Sequence, residues 1–294
     1  MSAEQNMILV ADIGNSEIDF GIFEKPPGKR PLPWASARRV FWGPACRVGN
    51  GARTGGLCFG SFSHFSKKTD LWETPDEIEL FVDRIIQNLS IPPEKIVGTA
   101  ICSVVPEVAR TVDIAFRQLF HGKPFHLNHA VKLPVKIRVN NPDEIGCDRV
   151  SNAAAAFYKY RGPLIVVDCG TATTFTVVSA KGELLGGAIM PGVKLMQNSL
   201  ASNTAKLPFF PLDRPKTFIG KNTRDAMKSG IIHGYVGAIT NIIEGIKKEM
   251  KNPEVKIIAT GGLSHIIDSI NPKIATVEPF LTLEGIAISY FLNE

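Results

Sequence analysis

The 294-residue chain is predicted to be an α/β protein built from two related halves. The prediction depends on a pattern of strand, aspartate, glycine turn and strand, which occurs at residues 8–23 and again at residues 164–178. In each copy an apolar run ends at an aspartate, Asp12 or Asp168, and the chain returns as a second apolar run. Segments with helical and strand periodicity then alternate after each copy, which is typical of an α/β fold.

Each repeated turn is a candidate phosphate site. One copy alone could be an ordinary hairpin whose turn is polar because turns usually are. Two copies favour a shared function, because backbone N–H groups in such turns bind anions and a neighbouring aspartate can hold a cation that neutralises phosphate charge. In the second copy Gly170 permits close approach of a ligand, and Thr171 adds a hydroxyl.

Length and composition exclude several classes of protein. The chain is long enough for two domains, which we predict at residues 1–161 and 162–294. The net charge of +5 is spread along the chain, so no nucleic-acid partner is expected. The five cysteines lack CxxC spacing, and we expect reduced thiols in a cytoplasmic protein. Neither a signal-peptide pattern nor an apolar run of about 20 residues occurs, so no membrane segment is expected.

The first half is predicted to follow the order β-β-β-α-β-α-β. Strands are expected at residues 7–24 as a hairpin, 35–42, 96–104 and 124–127, and helices at 76–89 and 106–120. Thr74 and Pro75 cap the first helix, and Leu80 and Ile114 are among the apolar residues expected to face inward. The segment 43–66 is compatible with either an irregular loop or a strand pair.

A polar segment joins the halves and contains a candidate catalytic residue. After the segment 135–139, a helix is expected from about Arg149 to Tyr160, with Asp148 at its start. Asp148 is either an N-cap, whose carboxylate accepts free N–H groups, or a general base or phosphate-site ligand. Gly146 permits close approach of a ligand, and Arg149 suits a carboxylate or phosphate partner.

The second half repeats the hairpin and continues with helices. Beyond the hairpin, strands are expected at 184–190 and 255–260, and helices from 192 to 201, 223–250 and 283–292. Gly230, Gly234 and Gly237 indicate close packing of the long helix, against this chain or a second subunit. Gly261 and Gly262 follow a strand and form either a plain turn or a nucleotide phosphate position.

The chain contains seven motifs in the same order as the type III pantothenate kinases, and it therefore resembles that family. The family belongs to the acetate kinase/sugar kinase/heat-shock chaperone/actin superfamily. That family also includes proteins labelled Bvg accessory factor. Each motif is weak alone, but the order is specific. The motifs are Asp12–Ser16, Ser103–Pro106, Asn141–Arg149, Asp168–Thr174, Gly186–Gly192, Thr260–Gly262 and Leu281–Gly285.

The resemblance implies both a fold and a reaction. The fold would be two RNase-H-like domains of the actin-like ATPase type, each with a mixed five-stranded sheet, with the active site in the cleft between them. The reaction would be ATP-dependent phosphorylation of pantothenate to 4′-phosphopantothenate, the first step of coenzyme A biosynthesis. Mg²⁺ and a monovalent cation, K⁺ or NH₄⁺, would be required, and the protein would be a homodimer.

The same resemblance assigns roles to individual residues. ATP phosphates would be held by the turn Asp12, Ile13, Gly14, Asn15, Ser16, Glu17, Ile18 and Asp19, and hydrated Mg²⁺ would be held through Asp12. Pantothenate would be bound by Gly146, Cys147, Asp148, Arg149 and Thr223. Asp148 would accept the proton of the substrate hydroxyl, Thr171 would contact ATP, and Asp168 would bind the monovalent cation. A carboxylate base suits phosphoryl transfer, which depends on positioning and charge neutralisation.

Two positions depart from the family pattern and leave other functions open. Val139 stands where an aromatic residue near pantothenate is common, and Thr176 stands where many members have aspartate. One alternative is a catalytically weak regulatory or accessory protein on the same scaffold. Another is a kinase for a different small hydroxy acid. The presence of Asp12, Asp148 and Asp168 favours an active kinase.

Overall fold

The structure is a computed structural model that describes residues 6–25, 62–202, 209–266 and 276–294. The strand expected at 35–42 and most of the open segment 43–66 lie outside the described residues. In chain order the elements are β1 (Met7–Ile13), β2 (Glu17–Glu24), β3 (Phe62–Lys68), α1 (Pro75–Asn88), β4 (Ile96–Ser103), α2 (Pro106–Phe120), β5 (Phe125–His126), β6 (Lys136–Ile137), α3 (Cys147–Tyr160), β7 (Leu164–Cys169), β8 (Ala172–Val178), β9 (Glu183–Pro191), α4 (Val193–Ser202), α5 (Thr223–Glu249), β10 (Lys256–Thr260), β11 (Thr276–Val277) and α6 (Leu281–Asn293).

The chain forms two compact units whose boundaries differ from the predicted division at residues 161 and 162. The first unit comprises Met1–Pro134, Asn141–Lys159 and Thr282–Glu294, and the second comprises Val135–Asn140 and Tyr160–Leu281. The difference arises because α6, at the end of the chain, packs on α3 in the first unit. No helix among the described residues is long and apolar enough to cross a bilayer.

The two sheets share one strand order, as the repeated hairpins predict. Written in the same direction, the first sheet has the order β5-β4-β1-β2-β3 and the second has the order β11-β10-β7-β8-β9. The second sheet continues with one added strand, β6, beside β9. In each sheet an antiparallel hairpin, β1–β2 or β7–β8, is followed by a parallel strand beside its first member. The two-sheet α/β class is therefore confirmed. Within the described part of the chain the second sheet has six strands instead of the expected five, because β6 pairs with the edge of β9.

The helices of the first unit form where the sequence indicates. Thr74 caps α1 in a capping box, its hydroxyl accepting the N–H of Glu77 while the Glu77 carboxylate accepts the N–H of Thr74 at 2.8 Å. The inward assignments of Leu80 and Ile114 were wrong, since these side chains are 71% and 46% exposed. Each lies two residues after a buried position, about 200° further around its helix.

Packing of α6 on α3 explains the Leu281–Gly285 motif. The Ser151 hydroxyl donates to the Thr282 carbonyl oxygen at 2.7 Å, and the Thr282 hydroxyl donates to Asn152 Oδ1 at 2.9 Å. Lys159, with a side chain 4% exposed, forms an ion pair with Glu284 at 2.7 Å. A Cβ at position 285 would lie 2.6 Å from the Ser151 carbonyl carbon, so only glycine permits this approach.

A glycine-to-alanine pair tests this packing. Gly285→Ala is expected to destabilise the protein by about 1–3 kcal/mol or more, because the new methyl group overlaps backbone atoms of α3. Gly245→Ala is the control, since position 245 of α5 is exposed and no described atom lies within 4 Å of its Cβ. That change is expected to stabilise by up to about 1 kcal/mol. Chemical denaturation of both variants measures the difference, and equal stabilities would contradict the packing.

The second unit is centred on α5, whose buried face packs with the β7–β8 hairpin. Tyr235, Ile239 and Ile243 belong to this core, together with Val167 and Phe175. The glycines of α5 lie on its exposed side. A Cβ at Gly230, Gly234 or Gly237 would meet no atom within 4 Å in the described ranges. The described residues therefore supply no packing partner for these glycines, and the second-subunit interpretation stays a prediction.

Candidate functional site

The first repeated turn is closed by a residue distant in sequence. The N–H of Gly14 donates to the Glu17 carbonyl at 3.0 Å, and Asn15, Ser16 and Glu17 are exposed. Thr69, just after β3, donates its N–H to the Ser16 carbonyl at 3.0 Å and its hydroxyl to the Gly14 carbonyl at 2.7 Å. The turn is thus held in shape while its tip faces solvent.

A pair of aspartates lies beside this turn. Asp12 and Asp19 are paired in register across β1 and β2, and residues so paired project from the same face of a sheet. Asp19 Oδ1 lies 2.9 Å from His64 Nε2 on β3. Two carboxylates that project side by side from one face of a sheet suit a divalent cation such as Mg²⁺. Ile13 and Ile18, also in the predicted ATP turn, are fully buried, so their side chains support the hairpin.

The segment predicted to bind pantothenate lies at the start of α3. This helix begins at Cys147, two residues earlier than expected, so Asp148 is within its first turn. Asp148 Oδ1 accepts the N–H of Arg149 at 2.8 Å. The Cys147 thiol donates to the Ser103 carbonyl oxygen at 3.3 Å, which joins the helix start to the end of β4. A Cβ at Gly146 would overlap the Asp148 carboxylate and lie 3.6 Å from Val104.

The aspartate turn and the start of α3 both lie beside the end of β4. Burial raises the pKa of the Cys102 thiol well above its ordinary value, and Cys147, Asp12 and Asp148 raise it further. Cys102 is the second-last residue of β4 and is paired in register with Asp12. Since Asp12 is paired with Cys102 and the Cys147 thiol donates to the Ser103 carbonyl oxygen, the first unit brings the predicted phosphate turn and the start of α3 to the same end of β4.

Asp148 has the electrostatic character of a proton acceptor. Burial raises the pKa of its carboxyl group, although the N–H and the positive charge of Arg149 oppose the shift. Burial also lowers the pKa of Arg149, while Asp148 opposes that change. A carboxylate with a raised pKa binds a proton more readily near neutral pH, which suits a general base.

The second repeated turn contains Asp168 and Thr171. The Gly170 N–H donates to the Ala172 carbonyl at 3.2 Å, and the Gly192 N–H donates to the Thr171 carbonyl at 3.0 Å. A Cβ at Gly192 would lie 3.0 Å from the Thr171 carbonyl carbon, so the Gly186–Gly192 motif permits this close approach. Thr171 itself is exposed.

The residues around Asp168 come from three strands. Asp168 is paired with Thr174 on β8 and with Thr260 on β10. Gly261 has φ +86°, and a Cβ there would lie 2.5 Å from Asp168 Oδ1 and 2.8 Å from the Cys169 nitrogen. Both its conformation and its surroundings therefore require glycine.

The remaining predicted residues lie in the second unit. Thr223 is the first residue of α5, directly after Asn222, which caps the helix by accepting the Asp225 N–H at 2.9 Å. Val139 is half-buried in the 135–140 segment of this unit. Sequence reasoning missed Thr69 and His64, because neither lies near its turn in sequence or belongs to a motif.

Comparison with solved structures shows that this chain shares its fold with two proteins of low sequence identity. A protein from Campylobacter jejuni described as a conserved Baf family transcriptional activator is 16% identical, with a TM-score of 0.54 and coverage of 97% of this chain and 98% of that chain. A protein from Sinorhizobium meliloti described as a 2-dehydro-3-deoxygalactonokinase is 12% identical, with a TM-score of 0.51 and coverage of 96% and 95%.

A family model described as type III pantothenate kinase matches residues 46–245, which is more than half of the chain. The chain therefore belongs to the type III pantothenate kinase family. Membership of this family makes it a kinase, with ATP as the phosphoryl donor.

Proposed function

We propose that the protein transfers the γ-phosphoryl group of ATP to the hydroxyl of pantothenate, giving 4′-phosphopantothenate in the first step of coenzyme A biosynthesis in the cytoplasm. The observation that carries the proposal is the position of Asp148. Its carboxyl group has a pKa raised by burial and lies in the first turn of α3, near the end of β4 where Asp12 also lies. Family membership supports the same reaction class.

In this reaction Asp148 accepts the proton of the attacking hydroxyl. Phosphoryl transfer depends mainly on positioning and on charge neutralisation, so one well-placed base suffices on the acceptor side. Gly146, Cys147 and Thr223 contact pantothenate, and the guanidinium of Arg149 suits its carboxylate.

The phosphate side uses the repeated turns. The backbone of Gly14–Ser16 binds ATP phosphates, and Thr171 contacts ATP. Asp12 and Asp19 hold hydrated Mg²⁺, which when bound neutralises phosphate charge. Asp168 holds a monovalent cation, K⁺ or NH₄⁺. We also propose a homodimer in which the exposed glycine side of α5 packs against the second subunit.

A coupled ADP-release assay tests the proposed function. Pantothenate is compared with a panel of small hydroxy acids, each with K⁺ present and absent. We expect pantothenate to have the highest kcat/KM and K⁺ to be required. A different preferred acid would reassign the substrate. No turnover with any acid would favour the accessory-protein alternative, a function that the description of the Campylobacter jejuni protein also suggests.

Val139 is expected to weaken pantothenate binding. Valine cannot stack or donate a hydrogen bond where related kinases commonly carry an aromatic ring. The loss of a contact of this kind weakens the binding free energy by about 1–3 kcal/mol, which raises KM roughly 5- to 150-fold. Val139→Tyr is therefore expected to lower the KM for pantothenate with little change in kcat. An already low KM in the wild type, unchanged by tyrosine, would show that another side chain occupies the position.

A further inference from the structure

The strand register around Asp168 places two hydroxyl groups beside one carboxylate. Thr174, Asp168 and Thr260 are paired across β8, β7 and β10. Residues paired across neighbouring strands project from the same face of a sheet. The row Thr174–Asp168–Thr260 therefore presents three oxygen-bearing side chains on one face, with a single negative charge at its centre.

The corresponding row of the first unit has different chemistry. There Asp19, Asp12 and Cys102 are paired across β2, β1 and β4 at the equivalent positions of the repeated topology. That row carries two carboxylates, which suit a divalent cation. A single carboxylate with neutral oxygen ligands carries half that charge, and neutral oxygens are the ligands that replace the hydration shell of K⁺ in proteins.

The Thr260 hydroxyl supplies an independent observation. The residue is 1% exposed, and its Oγ1 has no hydrogen-bond partner within residues 6–25, 62–202, 209–266 and 276–294. Buried hydroxyl groups are normally satisfied, so an unpartnered one indicates a ligand that the protein itself does not supply. Next to it, the absent side chain of Gly261 leaves open the space beside Asp168 Oδ1.

We propose that the Thr260 hydroxyl is a ligand of the monovalent cation held by Asp168, and that Thr174 lies on the opposite side of the same ion. This inference rests on the proposed function for the presence of a cation at Asp168. It adds the residue that completes the site and the reason for its selectivity. One negative charge and two neutral oxygens stabilise K⁺ or NH₄⁺, whereas a divalent ion would keep an uncompensated charge.

The test measures cation binding directly, without turnover. Thallous ion, which substitutes for K⁺, is titrated into the full-length protein and followed by ²⁰⁵Tl NMR, with K⁺ as competitor. The proteins are wild type, Thr260→Val, Thr260→Ser and Thr99→Val. Thr99 is the matched control, because it is a buried strand threonine of the other sheet. We expect Thr260→Val to weaken binding at least tenfold, while Thr260→Ser and Thr99→Val bind like the wild type.

Thermal unfolding distinguishes ligation from a structural role. In tetramethylammonium chloride, Thr260→Val is expected to be at least as stable as the wild type, because it removes an unpartnered hydroxyl. In potassium chloride it is expected to lose the K⁺-dependent rise in Tm. Unchanged thallous binding by Thr260→Val, or equal destabilisation in both salts, would overturn the proposal. Wild-type binding without pantothenate kinase activity would refute the proposed substrate and leave this inference intact.

Discussion

Asp148→Asn is expected to lower kcat by about two orders of magnitude or more in a folded protein, because asparagine cannot accept the proton of the substrate hydroxyl. Its amide oxygen can still accept the Arg149 N–H that Asp148 accepts, so the start of α3 is expected to keep its shape. Turnover by the ADP-release assay and circular dichroism measure the two effects. Asp143→Asn is the control, since Asp143 is an exposed carboxylate in the same segment.

Stability and pH dependence give two further readouts of this change. Because burial raises the pKa of Asp148 in the folded protein, ionising the group at neutral pH costs stability, and this cost disappears as pH falls through the raised pKa. Asp148→Asn is therefore expected to be as stable as the wild type or more stable at neutral pH. The acid limb of the wild-type kcat/KM profile, which reports the free enzyme, should lie above the ordinary aspartate pKa. Near-wild-type turnover in the variant would show that Asp148 is not the general base and that its role is confined to the structure of the start of α3.

Asp168→Asn is expected to remove the requirement for a monovalent cation together with most of the activity. A phosphate-binding turn without its neutralising ion loses charge stabilisation, for which about a 100-fold reduction in kcat is a reasonable scale. Wild type and variant are compared in potassium, ammonium, sodium and tetramethylammonium chloride at constant ionic strength. Asp213→Asn is the control, because Asp213 is an exposed carboxylate of the same unit. Full wild-type activity in tetramethylammonium chloride would contradict the assignment.

The repeated hairpins were predictable because their signal is local. An apolar run, an aspartate and a glycine turn lie within about ten residues of each other, and the strand period places the aspartate at the end of its strand. The helices α1 and α2 were equally predictable, since each begins with a proline and continues with a helical period, and α1 also has a threonine cap. The exposed Leu80 and Ile114 show the limit of such patterns, because counting apolar residues does not fix the direction of a helix face.

Contacts between distant segments could not be predicted in the same way. Thr69 closes a turn 55 residues before it, and His64 reaches Asp19 across 45 residues. Neither residue belongs to a motif, and only the position of β3 beside β2 brings them near. The Leu281–Gly285 motif was recognised in the sequence, but its packing on α3 depends on a side-chain arrangement that periodicity does not encode.

The packing of α6 on α3 also bears on the order in which the protein folds during synthesis. Ser151 is made 131 residues before its partner Thr282, and Lys159 is made 125 residues before Glu284. While the ribosome translates the intervening residues, the face of α3 that contacts α6 in the folded protein lacks this packing partner. Domains usually fold in the order of their synthesis, N-terminal first. Here the first unit is completed only after α6 has been made, which follows the synthesis of the second unit, so a chain that stops before α6 would leave the first unit unfinished.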